Sequence, residues 1–204
     1  MKREIHPVYI ALFLIFGCAL FRLTSSRYPE VIPDISPFMA VAYVGGICLP
    51  RRWGWLIGAI AIFLSDFAFL EINSRTIGAM FSWWSVISFG IYAGAGLLGI
   101  VVVRHASLFK TVAGSLGCSL FFYVAANTFS WRQNIVLKQT PGYPPTLAGW
   151  WQANTIGLPG YEPTWLFLRN GMAGDLFFVF LLLFILNRSL LFGQTPIRAV
   201  SGSA

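Results

Sequence analysis

Five polar residues stand where an otherwise apolar chain has least use for them. Asp66, Asn127, Arg169, Asn170 and Asp175 each interrupt a hydrophobic run long enough to form a helix. An ionisable group inside such a run is costly to bury, which makes it a candidate for ligand contact, internal pairing or proton relay. Two carboxylates and a guanidinium can satisfy one another, or they can orient a polar ligand. For Asp66 and Asp175, capping a broken helix or pairing with Arg169 stands level with ligand contact; for Arg169 the salt bridge leads. A proton relay needs a chain of titratable groups, and the two histidines, His6 and His105, lie at the ends of their runs. The zinc-protease, serine-hydrolase and P-loop signatures are absent. Cys18, Cys48 and Cys118 have neither CxxC nor metal-ligand spacing and read as small buried hydrophobes. The expectation is a protein that binds rather than catalyses, with no metal and no resident cofactor.

The elements that position these residues follow from composition. Of the 204 residues, 57% are hydrophobic and 10% charged, against roughly 45–50% and about 25% in a soluble domain. Seven acids and fourteen bases cannot cover a water-soluble surface of this size. With a mean hydropathy of +0.71, the solvent for most of the chain is lipid. Spanning the hydrocarbon takes about 20 apolar residues, and runs at about 6–23, 53–70, 81–103, 111–130 and 164–187 meet that mark. A sixth run, about 38–49, is short, carries Gly45-Gly46 and is bounded by Pro37 and Pro50. It is expected to be tilted, partly unwound or re-entrant, and buried in protein. The fold class is therefore an all-α integral membrane protein, one transmembrane domain over 1–204, built as a six-segment bundle with an irregular second segment. The first run lacks a convincing cleavage site and reads as a retained helix.

Orientation follows from the bases. With a cytoplasmic N-terminus and six crossings, the inner side holds Lys2, Arg3, Arg51, Arg52, Arg104, Lys110, Arg188 and Arg198 against Glu4 alone. The whole excess of +7 then falls on one face, and the remaining bases and acids cancel. Both termini are expected in the cytoplasm, in the inner membrane of a bacterium. The scattered bases form no nucleic-acid stripe. On this reading Asp66 lies about 20 Å along its helix, and Asn127, Arg169, Asn170 and Asp175 share its depth in the outer half.

The outer connections are the longer ones. Residues 24–37 are polar and proline-rich, hence an extended loop, with Ser36 at its end. Residues 131–163 carry Trp131, Trp150 and Trp151 and are expected to hold a short interfacial helix around Leu147–Thr155. This loop reads either as a lid over a ligand or as an aromatic belt anchored at the headgroups. Small residues at helical spacing, Gly90 with Gly94, Ala95 with Gly99 and Ala113 with Gly117, suit close helix packing.

Several short strings, in order over about residues 30–180, carry a resemblance. They are Asp34-Ile35-Ser36-Pro37 with Ala40 and Gly45-Gly46, then Leu64-Ser65-Asp66 and Ala126-Asn127-Thr128-Phe129. Tyr143-Pro144 with Thr146-Leu147-Ala148-Gly149 follows, and Arg169-Asn170 with Gly174-Asp175-Leu176 closes the set. In these the sequence resembles an uncharacterised bacterial membrane family grouped with the substrate-binding S components of energy-coupling-factor vitamin transporters. The resemblance implies a six-helix bundle with an outward vitamin pocket beneath its loops, and an energising module of ATPases and scaffold as partner. The AxxxA docking pattern is absent from residues 6–23, which leaves room for a solitary transporter like the small cobalamin S components. Without a Walker motif, any ATP hydrolysis comes from a partner.

The leading expectation is a transport subunit binding a vitamin-like small molecule such as cobalamin. Ser36, Asp66, Asn127, Trp131, Trp150, Trp151, Arg169, Asn170 and Asp175 are its candidate ligand contacts, and lipid and other membrane subunits its further partners. The alternative is a structural or accessory subunit of a larger membrane complex; a lipid- or quinone-handling enzyme is weaker. The topology has a direct check. A reporter fused after Ala204 should be active in the cytoplasm, and activity confined to the periplasm would overturn it.

Overall fold

The computed structural model describes residues 6–28, 35–68, 82–103 and 107–186. Outside these lie Asp34, His105, the orienting charges Lys2, Arg3, Glu4, Arg104, Arg188 and Arg198, and the outermost residues of several expected segments. Among the described residues all regular structure is helical. The order is α1 (Pro7–Arg27), α2 (Phe38–Cys48), a 3-10 turn (Gly54–Leu56) running into α3 (Ile57–Ala68), α4 (Trp83–Val103), α5 (Leu108–Val136), α6 (Leu147–Ala153) and α7 (Trp165–Leu186). Four stretches are long and apolar enough to cross a membrane: Pro7–Ser25, Trp83–Val102, Leu108–Val136 and Trp165–Leu186. The helices in the second and third expected segments are shorter.

Apolar side chains cover the outside of the bundle as well as filling its core. Phe16, Phe109, Phe121 and Phe177 are exposed, while Ser65, Thr111, Ser115, Ser119 and Asp175 are buried. Water would penalise that surface; hydrocarbon does not, and it instead forces every polar group inward to find a partner.

At the centre lies α2, and it corrects the expectation of an irregular second segment. It is a regular helix of eleven residues, with residues 38–47 all buried. Helices α1, α3, α4, α5 and α7 all pack on it. Gly45-Gly46 does not break it, because in lipid a glycine pair permits close approach of backbones. A Cβ on Gly46 would run into the Gly96 carbonyl of α4, and one on Gly99 into the Tyr43 carbonyl of α2. Gly58 of α3 meets Ala42 in the same way. Tyr43, fully buried, reaches out of this core to donate its hydroxyl to the Thr111 carbonyl at 3.3 Å.

Of the small residues expected at interfaces, Ala95 and Gly99 are packed inward. Gly90, Gly94 and Gly117 have open space where a side chain would project. Spacing shows that a helix has a smooth face; it does not show which way that face points.

Helix α5 is also longer than its apolar run, continuing through Trp131 to Val136. The end of the apolar window near residue 130 is therefore not the end of the helix. The connection from α5 to α6 begins at Leu137 rather than at Trp131.

The α2–α4 contact can be tested by adding one methyl group. Gly46→Ala should lower thermal stability in detergent by about 1–3 kcal/mol, the usual cost of overpacking. Gly94→Ala, facing open space, should be neutral or slightly stabilising. Equal effects at the two sites would refute the packing described.

Candidate functional site

A helix that begins inside a membrane bundle must have its first N–H groups satisfied there. Two devices do this for α2. Ser36 Oγ accepts from the Phe38 N–H at 3.4 Å, with Pro37 in helical conformation between them. Pro37 is the N-cap, its carbonyl accepting from the Val41 N–H, and Ser36, one residue earlier, supplies a side-chain acceptor to the first turn. The carboxylate of Asp175 on α7 faces the Ala40 N–H. Ser119 of α5 completes the cluster: its Oγ lies 2.6 Å from Asp175 Oδ2, nearer than the Ser115 carbonyl at 3.1 Å. One buried carboxylate thus ties α2, α5 and α7 together.

The eleven residues of α2 rise only about 16 Å, half of the roughly 30 Å of hydrocarbon. A hollow of about 240 Å³ lies at its N-terminal end, lined by Phe21, Arg22, Ser25, Ile35, Ser36, Phe38, Ile62 and Tyr92. Ile35 packs into the space left by Gly174, one residue before the capping aspartate.

The charge in this wall is Arg22, near the end of α1. Its Nη2 lies 2.7 Å from Asp66 Oδ1, and its Nη1 donates to Ser65 Oγ at 3.2 Å, both on α3. Its guanidinium also stands 5.9 Å from the centre of the Phe38 ring. Arg22 and Asp66 keep 23% and 28% side-chain exposure, so the pair is partly shielded from solvent. Late residues of α1 and α3 meet here, so the two helices run the same way. From the cavity an aromatic series continues outward: Phe38, Tyr92, Phe122, Trp84 and Phe129, each ring centre 5.1–6.4 Å from the next.

The expected single cluster of polar residues is therefore divided. Ser36 lines the cavity, Asp66 anchors the arginine in its wall, and Asp175 caps the helix beneath. Arg169 is not the partner of either aspartate. It is exposed near the start of α7, stacked 5.7 Å from the Trp165 ring centre, with its Nε donating to Asn170 Oδ1 at 3.2 Å. Asn127 donates to the Tyr123 carbonyl of its own helix at 3.0 Å. Matched depth placed these side chains at one level but could not say which way each pointed.

Arg22 was missed because it closes an apolar run and reads as its polar flank. Counted from the start of that run, it rises about 24 Å, within a turn of Asp66. That was the available signal.

The tryptophan segment forms a built cap on α5. Trp150 Nε1 donates to Thr128 Oγ1 at 2.8 Å, and Trp131 Nε1 to the Pro144 carbonyl at 3.0 Å. Tyr123 donates to the Asn154 carbonyl at 2.8 Å, and Asn134 Oδ1 accepts from the Tyr143 N–H, also at 2.8 Å. Thr164, entering α7, donates to the last turn of α6. The expected short helix is present as α6, with Thr146 as its N-cap. Trp150 faces α5 while Trp151 is 63% exposed. None of Trp131, Trp150 and Trp151 lines the cavity.

No group of three or more His, Cys, Asp or Glu that could hold a metal occurs among the described residues. The chain belongs to a family described as "Family of unknown function (DUF6580)", whose model matches residues 2–191. No curated protein and no solved structure matches it.

The capping role of Asp175 predicts a graded response. Asp175→Asn keeps an acceptor for the Ala40 N–H and should cost little. Asp175→Leu leaves that N–H buried without a partner and should cost about 1–3 kcal/mol, read as a lower melting temperature in one fixed detergent. Equal losses in the two variants would show that the charge, not the cap, is what matters.

Proposed function

We propose that this protein is a membrane-embedded substrate-binding subunit for uptake of a vitamin-like small molecule. The observation that carries the reading is the hollow above α2. It holds a guanidinium, two serine hydroxyls and a tyrosine among apolar walls, the mixture by which ligand sites fix orientation while excluding water. The resemblance to energy-coupling-factor S components supports it. In that setting the six helical segments all belong to the membrane domain, both termini are cytoplasmic, and the cavity end faces out. Energy would come from a partner, either a shared ATPase and scaffold module or none where the subunit acts alone.

A second reading is an accessory subunit of a larger complex. It draws on Gly90 and Gly94, which leave a smooth outward strip on α4 where another helix could seat.

The experiment is extraction and mass spectrometry of small molecules from protein purified in mild detergent, beside a variant whose cavity is filled. Ile62→Trp places a large ring in the hollow without touching its charges. The wild type should carry a stoichiometric small molecule that this variant lacks while folding normally. A stoichiometric protein partner, with identical extracts from both forms, would favour the accessory reading and remove the transport one.

A further inference from the structure

We propose that the tryptophan cap on α5 is a membrane-interface surface, whose outer face lies in the headgroup layer and gathers anionic lipids. The proposal is independent of any ligand in the hollow. Depth is the first argument. Helix α5 carries no charge between Lys110 and Arg132, and both of these bases are exposed. The stretch from one to the other rises about 33 Å, close to the roughly 30 Å of hydrocarbon, so the two bases mark its two boundaries. The cap is bonded to α5 at the second boundary, through Trp150 to Thr128 and Trp131 to the Pro144 carbonyl.

The face that α6 turns outward is the second argument. Leu147 and Trp151 stand one turn apart on the same side of the helix, 79% and 63% exposed. The other side is spent on the bundle, with Ala153 buried, Gly149 against the Pro144 carbonyl and Trp150 on Thr128. A helix with leucine and tryptophan on one face and its protein contacts on the other suits the boundary between headgroups and acyl chains. An indole there keeps its ring in apolar surroundings and its N–H in reach of polar ones. Trp165 opens α7 beside the last turn of α6, its backbone N–H donating to the Thr155 carbonyl at 3.0 Å.

Charge is the third argument. From Trp131 to Asn170 the bases are Arg132, Lys138 and Arg169, all exposed, and the acid is Glu162. Arg169 lies a turn inside α7, and its guanidinium is drawn back to the Trp165 ring, 5.7 Å from its centre. That is the posture of a long cation reaching for the boundary from within. None of the three bases has a carboxylate partner among the described residues. Bases without acids at a lipid surface attract anionic headgroups.

The test is quenching of tryptophan emission in protein reconstituted into phosphatidylcholine vesicles with a minor share of phosphatidylglycerol. Trp151 is read as the difference between wild type and Trp151→Phe. Lipid brominated high on its acyl chains should quench that difference, and aqueous iodide should not. Bromine carried on phosphatidylglycerol should quench it at least about twofold more than the same amount carried on phosphatidylcholine, and added salt should erode the preference. Leu147→Trp placed in the Trp151→Phe protein should restore the lipid-quenched emission, which separates the face itself from any general loosening of the fold. Arg132→Gln with Lys138→Gln and Arg169→Gln should abolish the preference for phosphatidylglycerol while leaving quenching by brominated phosphatidylcholine intact.

Quenching of Trp151 by iodide and not by brominated lipid would place the cap in water and overturn the proposal. Emission that neither quencher reaches would mean that protein covers the face, a second copy or another subunit, and would overturn it equally. Equal quenching by the two brominated lipids, or a preference that survives loss of the three bases, would overturn the assignment to anionic lipid.

Discussion

The bundle depends on satisfying the N-terminus of a helix that starts inside it. Helix α2 is buried along almost its whole length, and lipid offers its first N–H groups no acceptor. Asp175 and Ser36 supply the acceptors from within. Everything around α2 is arranged so that they can. Gly174 admits Ile35 beside the cap, Ser119 steadies the carboxylate, and glycines at 46, 58 and 99 draw the neighbouring backbones close. A carboxylate in the core of a membrane protein is costly unless it is fully engaged, and here each of its partners belongs to a different helix. The same charge that looks like a functional signal in the sequence is first a structural necessity.

That necessity creates the cavity. A helix spanning the full hydrocarbon would have its N-terminus in the headgroups, capped by water, and would fill the bundle to its end. Because α2 starts partway down, the longer helices α1 and α4 continue past it and leave a hollow. The cap and the hollow are two consequences of one short helix. Ser36 belongs to both, since it supplies an acceptor to the first turn of α2 and lines the space above it. The tryptophan cap on α5 is a separate construction. Its hydrogen bonds run to α5 and α7, which makes it a rigid shoulder at that end of the bundle rather than a lid on the hollow.

Hydropathy reads the helices well because in lipid the backbone has little choice but to be helical. Residues 38–49, 81–103 and 164–187 anticipate α2, α4 and α7 within two residues at each end. Where the reading stopped short, at Arg27 of α1 and Val136 of α5, the helix continues past the end of its apolar run. The site was legible in part. Asp66 and Asp175 stand out by the cost of burying them, and Ser36 by its place before a proline. Arg22 did not stand out, because its position at a run's edge gave it an ordinary explanation. Pairing Asp66 with Arg169 failed for a geometric reason. Rise along a helix gives depth, but the azimuth of a side chain depends on how helices are rotated against each other, and no pattern in a uniformly apolar chain records that.

The Arg22–Asp66 pair carries the last step. Two apolar residues of similar volume would hold α1 against α3 without any desolvation cost, and pairs of this kind contribute little to stability on balance. Packing alone therefore does not account for the charges. Their position does: Arg22 is the member of the pair that lines the hollow, and Asp66 holds it there from α3. A lone arginine in that wall would be costly in a low dielectric and would bind any available anion tightly. An arginine with a fixed partner is tolerated and held in one orientation. The pair thus fixes an otherwise expensive charge in one place in the wall of the hollow.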